Sequence, residues 1–131
     1  MNLTKNFTLT EMTSSVTAQR RGILNVPNVR QTENLRILCE RLLQPLRDAY
    51  GKPLFISSGY RCRELNEAVK GSPSSDHMQG RAADIVTDNP VGLFAWVCRL
   101  RLSFDQAIIY KDFLHLSYRD EKSNRKIVLE K

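Results

Sequence analysis

The chain has 131 residues, with 41% hydrophobic and 26% charged side chains and a formal net charge of +6 from 20 basic and 14 acidic residues. That length suits a single domain over residues 1–131 with a core that needs no staples, and the composition is ordinary for a soluble globular protein. No run approaches the ~18 apolar residues of a membrane span, and the opening MNLTKNFTLTEM has no signal-peptide core, so synthesis in the cytoplasm without membrane insertion is expected.

Thr8 to Glu11 has the T-x-x-E form of a capping box and predicts a short helix. Val26-Pro27-Asn28 breaks the chain. Leu35, Leu38, Cys39, Leu42, Leu43 and Leu46 recur at steps of three and four and predict a helix from about Thr32 to Tyr50, kinked at Pro45 and stopped at Gly51. Leu54 to Ser57 reads as a strand, Ser58-Gly59 as a turn, and Glu64 to Lys70 as a short helix ended by Gly71. Gly71 to Asp76 is a loop by composition, and Ala82 to Val86 reads as a buried strand. Asn89-Pro90 opens a helix whose Leu93, Phe94, Trp96, Val97 and Leu100 make it apolar and largely buried. Phe104 to Tyr110 and Phe113 to Tyr118 read as two strands with a very short connection. Helices followed by a small antiparallel sheet with one inserted helix define an α+β class.

Cys39, Cys62 and Cys98 are odd in number and widely spaced, without a C-x-x-C pair, which disfavours a thiolate metal site. Cys39 and Cys98 fall in apolar helical patterns and read as core residues. The basic residues are dispersed, with no helix-turn-helix spacing and no RNP-like aromatic motif. A solvated basic surface explains them more simply than specific nucleic-acid binding, and an anionic wall polymer is another partner class.

The only two histidines are His77, which closes the polar loop, and His115 in Phe113-Leu114-His115-Leu116-Ser117. Asp84 lies between Ala83 and Ile85, where a carboxylate needs a partner because burying an unpaired charge is costly. Two imidazoles and one carboxylate form a known catalytic zinc set with the fourth position open. By spacing alone, a core histidine beside a capping aspartate remains the simpler reading, and H-E-x-x-H is absent. Asp112 stands three residues before His115 as a candidate general base; in a regular strand that offset faces the other way, so Asp112 has to sit on a bend or bulge at the hairpin end. The alternative is a turn aspartate serving local backbone donors. Arg61, after Ser57-Ser58-Gly59-Tyr60, is a candidate for gripping a carboxylate or a developing oxyanion.

Ser75 to Asp84 matches S-x-H-x-x-G-x-A-x-D in full, Ser58 to Arg61 matches S-G-Y-R, and Leu65-Asn66, Phe104-Asp105-Gln106, Asn6 to Glu11 and Leu43 to Arg47 fit as well. Together these resemble the zinc D-Ala-D-Ala carboxypeptidases of peptidase family M15, specifically the small phage-type branch, over roughly residues 6 to 128. The resemblance implies a hedgehog/DD-peptidase-like fold, with helices packed on a small antiparallel sheet, and one zinc ion per chain. It implies hydrolysis of amide bonds in peptidoglycan stem peptides by a monomer, as a carboxypeptidase or as an endolysin-type endopeptidase. Carried over, His77, Asp84 and His115 match the metal ligands, Asp112 the acid that activates water, Arg61 the catalytic arginine that binds substrate carboxylate or the tetrahedral intermediate, and Ser75 a substrate-side residue beside the first ligand. Cys62 replaces a frequent serine and Asp76 a frequent glutamine. Action on the bacterial cell wall by a phage- or prophage-encoded lysin fits the basic surface. The competing expectations are a non-catalytic zinc-containing wall-binding module of the same fold and, from charge alone, a nucleic-acid binder.

Overall fold

The leucine stripe forms the longest helical run of the computed structural model, which describes residues 1–131. The run has three pieces: α3 (Val29–Leu38), a π-helical turn (Cys39–Leu43) and α4 (Gln44–Tyr50). It starts three residues before the expected Thr32 because Asn28 and Gln31 make a reciprocal cap. The Asn28 side chain accepts from the Gln31 amide at 2.8 Å, and the Gln31 side chain accepts from the Asn28 amide at 2.9 Å. Pro45 offers no N–H to the carbonyl of Arg41, and its ring would crowd that carbonyl in a regular helix. The chain absorbs the conflict one turn earlier, where the Gln44 amide reaches five residues back to Cys39. All six residues of the stripe are fully buried. Burial pushes the Cys39 thiol up to about 12, with Glu11 adding to the shift, which suits an inert core residue.

Two short helices precede this run, α1 (Leu9–Thr13) and α2 (Val16–Arg21), and α5 (Arg63–Ala68) follows β1 (Phe55–Ser58). Thr8 caps α1 as its T-x-x-E spacing predicts, accepting from the Glu11 amide at 3.1 Å. After α5 the left-handed conformation falls on Lys70 (φ 58°) rather than on Gly71. A 3-10 turn (Asp76–Gln79) leads into β2 (Ala82–Val86), which has the expected bounds. Asn89 caps α6 (Pro90–Arg99), but that helix is less buried than its composition suggests. Only Pro90, Leu93 and Val97 are buried, and Cys98 is exposed, so Cys98 is a surface thiol rather than a core residue.

The sheet has the order β1-β2-β4-β3-β5, with β3 (Gln106–Ile109) and β4 (Phe113–Ser117) forming the expected hairpin. Three pairings are antiparallel, in keeping with the expected α+β arrangement, and the fourth is an addition at the edge: β5 (Ile127–Glu130) runs parallel to β3. Its run is short, without alternation and mostly exposed, so no periodicity marks it. A tertiary anchor holds it there. Asp105, 0% exposed, accepts from the Arg125 amide at 3.1 Å and from the Arg125 guanidinium at 2.9 Å on each carboxylate oxygen. The Asp105 carbonyl then accepts from the Ile127 amide, the first residue of β5, at 2.9 Å.

Ala83, Ile85, Ala107, Leu114 and Leu116 face the helices and join the core with Leu35, Leu38, Leu42 and Leu46. The opposite face of the same strands carries Asp84, His115 and Gln106 beside Ile108 and Phe113 and lines a cleft. No helix is long and apolar enough to cross a membrane.

Truncating Leu38 to alanine in this close-packed core is expected to lower the unfolding free energy by about 2–5 kcal/mol, read as a fall in urea midpoint at unchanged m. Asp105 gives a pH signature. The Arg125 hydrogen bonds hold its carboxyl below the ordinary range against the opposing effect of burial. A folded-state pKa below the unfolded value stabilises above about pH 4 and loses that contribution as pH falls through the folded value. The urea midpoint of the native chain is therefore expected to fall with acidification below about pH 4, and the Asp105→Asn variant to show a flatter profile there.

Candidate metal centre

The antiparallel register assembles the site. Asp84 on β2 pairs with His115 on β4, and Ser58 on β1 pairs with Asp84, so these residues form one row across the sheet. A bulge between Ile56 and Ser58 brings Ser58 into that row. Strand alternation puts the row on the face opposite Ala83, Ile85, Leu114 and Leu116.

His77 reaches the row from the 3-10 turn. The Ser75 hydroxyl accepts from the His77 amide at 3.2 Å and opens the turn, and Gly80, at φ 73°, closes it. Helix α3 pins the same turn: the Gln31 side-chain amide donates to the Met78 carbonyl at 3.1 Å, and that of Asn34 donates to Gln79 at 2.9 Å. A Cβ at Gly80 would lie 2.4 Å from the Gln31 carbonyl oxygen, so contact with α3 and left-handed backbone both require glycine.

One nitrogen from each of His77 and His115 and one Asp84 oxygen lie within 4.8 Å of one another. Asp84 Oδ1 is 2.8 Å from His115 Nδ1 and 3.2 Å from His77 Nε2. The imidazole of His77, 3% exposed, has its Nδ1 2.7 Å from the Gly59 carbonyl oxygen, to which it donates. In the neutral ring this leaves Nε2 as a lone pair, and Nε2 is buried without a hydrogen-bond partner. A lone pair aimed at a carboxylate oxygen is repulsive unless a proton or cation lies between them. Ligand atoms around a tetrahedral ion with bonds of about 2.0–2.1 Å stand about 3.3 Å apart, close to the observed 3.2 Å. The two imidazoles and Asp84 therefore fit a bound divalent metal, with the Gly59 carbonyl fixing the His77 tautomer.

Burial works against the Asp84 carboxylate, but the adjacent imidazoles of His115 and His77 outweigh it and hold the carboxyl well below the ordinary range. Arg61 stands beside Asp84, with Nη2 3.6 Å from Oδ2. Its Nε donates to the Ser58 hydroxyl and its Nη1 to the Asn66 side-chain oxygen, each at 3.0 Å. Burial lowers the Arg61 pKa, partly offset by Asp84 and Tyr110, and the guanidinium stays charged at neutral pH.

The site floors an open cleft of about 740 Å³. Arg61, Ser75, His77, Asp84 and His115 all line it, as do Tyr110 and Phe113, stacked at 4.2 Å. Asp112 does not line it. The residue is exposed at the bend that precedes β4, with its carbonyl accepting from the Thr87 amide at 3.1 Å. Its carboxylate makes no hydrogen bond to local backbone donors, unlike that of Asp120, which accepts from the Lys122 and Ser123 amides. The residues that sequence reasoning missed are the positioning groups: the Gly59 carbonyl, Gln31 and Asn34 beneath the His77 turn, and Ser58 and Asn66 beside Arg61. Of these, Ser58, Gly59 and Asn66 lay inside motifs, and nothing in those motifs indicated their contacts with Arg61 and His77.

A family model described as Peptidase M15 matches residues 5–117, which include all the residues just described. The chain belongs to the peptidase M15 family and is a metallopeptidase of that family. No curated protein matches the chain.

Replacing Gly80 with alanine is expected to destabilise the fold by about 2 kcal/mol or more and to weaken metal binding in a titration followed by calorimetry. Gly22→Ala is the control. It has a similar φ of 65° but open space around its Cβ, so it should carry backbone strain alone and leave metal affinity unchanged.

Proposed function

We propose that residues 1–131 act as one zinc-dependent peptidase domain that hydrolyses amide bonds in peptidoglycan stem peptides. The observation that carries the proposal is the buried, partnerless Nε2 of His77 facing Asp84, on the floor of a cleft that also holds Arg61. His77, Asp84 and His115 would hold the ion. Zinc supplies Lewis acidity, polarising a carbonyl and lowering the pKa of water to about 7. The chain's own residues do the rest.

Arg61 is locked by Ser58, Asn66 and Asp84, so its charge is oriented before substrate arrives and can stabilise a developing oxyanion or a substrate carboxylate. Ser75 lines the substrate side of the cleft next to the His77 turn. The stacked Tyr110 and Phe113 give an apolar wall for a peptide backbone. Asp112 would accept the proton of the attacking water and return it to the leaving amine. Its exposed side chain stands at the bend next to the cleft-lining Phe113. Carboxylate-rich wall peptides suit a lining with five cationic side chains against two carboxylates. Action on a bacterial wall by a phage- or prophage-encoded, monomeric enzyme follows from the same reading.

A second reading, a zinc-containing wall-binding module without turnover, draws on the exposure of Asp112 outside the cleft. One set of variants separates the two. His77→Ala is expected to lose the single equivalent of zinc measured by plasma mass spectrometry. Asp112→Ala is expected to keep the zinc and lose about 10²–10⁴-fold in hydrolysis rate. Incubation with peptidoglycan, with and without chelator, followed by mass spectrometry of the fragments identifies the bond. Free D-Ala marks a carboxypeptidase, and new amino termini within the stem mark an endopeptidase. Zinc-loaded protein that cleaves nothing would overturn the enzyme in favour of the binding module.

A further inference from the structure

Arg119 and Arg125 line the same cleft as the metal-site residues, yet both lie beyond residue 117, where the family match stops. They share one buried carboxylate. Asp105 accepts three hydrogen bonds from the Arg125 amide and guanidinium, and Arg119 Nε stands 3.3 Å from Oδ2 without forming a hydrogen bond. One negative charge therefore holds two positive ones. A guanidinium has five N–H donors, and most of those on Arg119 and Arg125 have no protein acceptor. The two side chains are 37% and 44% exposed, so their free ends reach solvent. Lys70 lines the same cleft and adds positive charge; Asp76 is the one lining carboxylate apart from Asp84.

We propose that Arg119 and Arg125, oriented by Asp105, form a carboxylate subsite that reads an acidic residue of the peptide away from the scissile bond. This rests on the cleft being a peptide-hydrolysing site. A planar guanidinium matches a carboxylate in a two-point contact, and the Asp105 anchor lowers the cost of ordering it. Arg61 lies next to the metal ligands and serves the reacting end, whereas Arg119 and Arg125 lie on the segment between β4 and β5, anchored by Asp105 just before β3. Two separate cationic points on one cleft impose a direction on an acidic peptide, and the second point selects for a free carboxylate over its amide.

The test compares two peptides in calorimetry and in arginine side-chain NMR of the zinc-loaded protein: L-Ala-γ-D-Glu-L-Lys, with a free α-carboxylate on the glutamyl residue, and the same peptide with that carboxylate amidated. The variant is Arg119→Gln, which leaves the Arg125–Asp105 contacts in place, with Arg119→Lys as the charge-preserving partner. The native chain is expected to bind the acid form about tenfold more tightly than the amide, with shifts of the Arg119 and Arg125 Nε–H signals. Arg119→Gln is expected to erase the difference at unchanged zinc content and melting temperature, and Arg119→Lys to restore part of it. Equal affinity for the two peptides, including no measurable binding of either, overturns the subsite, as does an Arg119→Gln effect equal on both. Inorganic phosphate displacing the acid peptide at lower concentration than acetate by a hundredfold or more would also overturn it, in favour of a phosphate polymer. Carboxylate discrimination without cleavage of any wall bond sinks the peptidase and leaves the subsite standing; cleavage without discrimination does the reverse.

Discussion

The Asp84 carboxylate is the constraint around which the site is arranged. It is buried in a strand whose neighbours are apolar, and a buried charge is tolerated only when partners surround it. Those partners come from three places in the chain: His115 across the β2–β4 ladder, His77 from the 3-10 turn, and Arg61 from the segment after β1. Each must arrive within hydrogen-bonding or ion-pairing distance, so the strand register, the β1 bulge and the closure of the turn at Gly80 are all tied to this one group. A slip of β4 by one residue would put Leu114 or Leu116 beside Asp84 and His115 into the leucine core. Packing on one face of the sheet and chemistry on the other therefore enforce the same register.

The parts of the fold legible in the sequence are those whose signals are local. Strand β2 is an apolar run, α6 opens with a cap followed by proline, and the leucine stripe marks the long helical run. The parts that were not legible depend on contacts distant in sequence. Strand β5 has no periodicity of its own and exists because Asp105 captures Arg125 twenty residues away. The π turn is a compromise between a continuous leucine stripe and Pro45, and the stripe alone does not say where the extra residue goes. Cys98 sits in an apolar pattern, yet α6 buries only one side, and the helix turns that residue outwards.

The candidate site divides in the same way. His77, Asp84 and His115 were visible because they are chemically distinctive and fall in a specific motif. Their supports were not, because a backbone carbonyl such as that of Gly59, or a glutamine such as Gln31, has no signature until the fold brings it near. Asp112 shows the limit of period-two reasoning from the other side. The offset of three residues demanded a bend, and the bend is present, but a bend leaves the side chain free, and here the carboxylate faces solvent without a hydrogen bond.

Two buried aspartates organise the cleft, and they leave opposite deficits. Asp84 collects two imidazoles and a guanidinium, and His77 Nε2 faces its carboxylate without a hydrogen-bond partner, an arrangement that a cation would complete. Asp105 collects two guanidiniums whose remaining donors have no protein acceptor, an arrangement completed by an anion. The first lies within the segment matched by the peptidase family, and the second draws its arginines from outside it. With a cation at the first, a peptide that offers its carbonyl to that cation and a carboxylate to the two arginines would, on the proposed reading, engage both aspartate-centred groups at once. The two groups are thus held by separate parts of the chain, the first by the strands and turn within residues 5–117 and the second by arginines on the segment between β4 and β5.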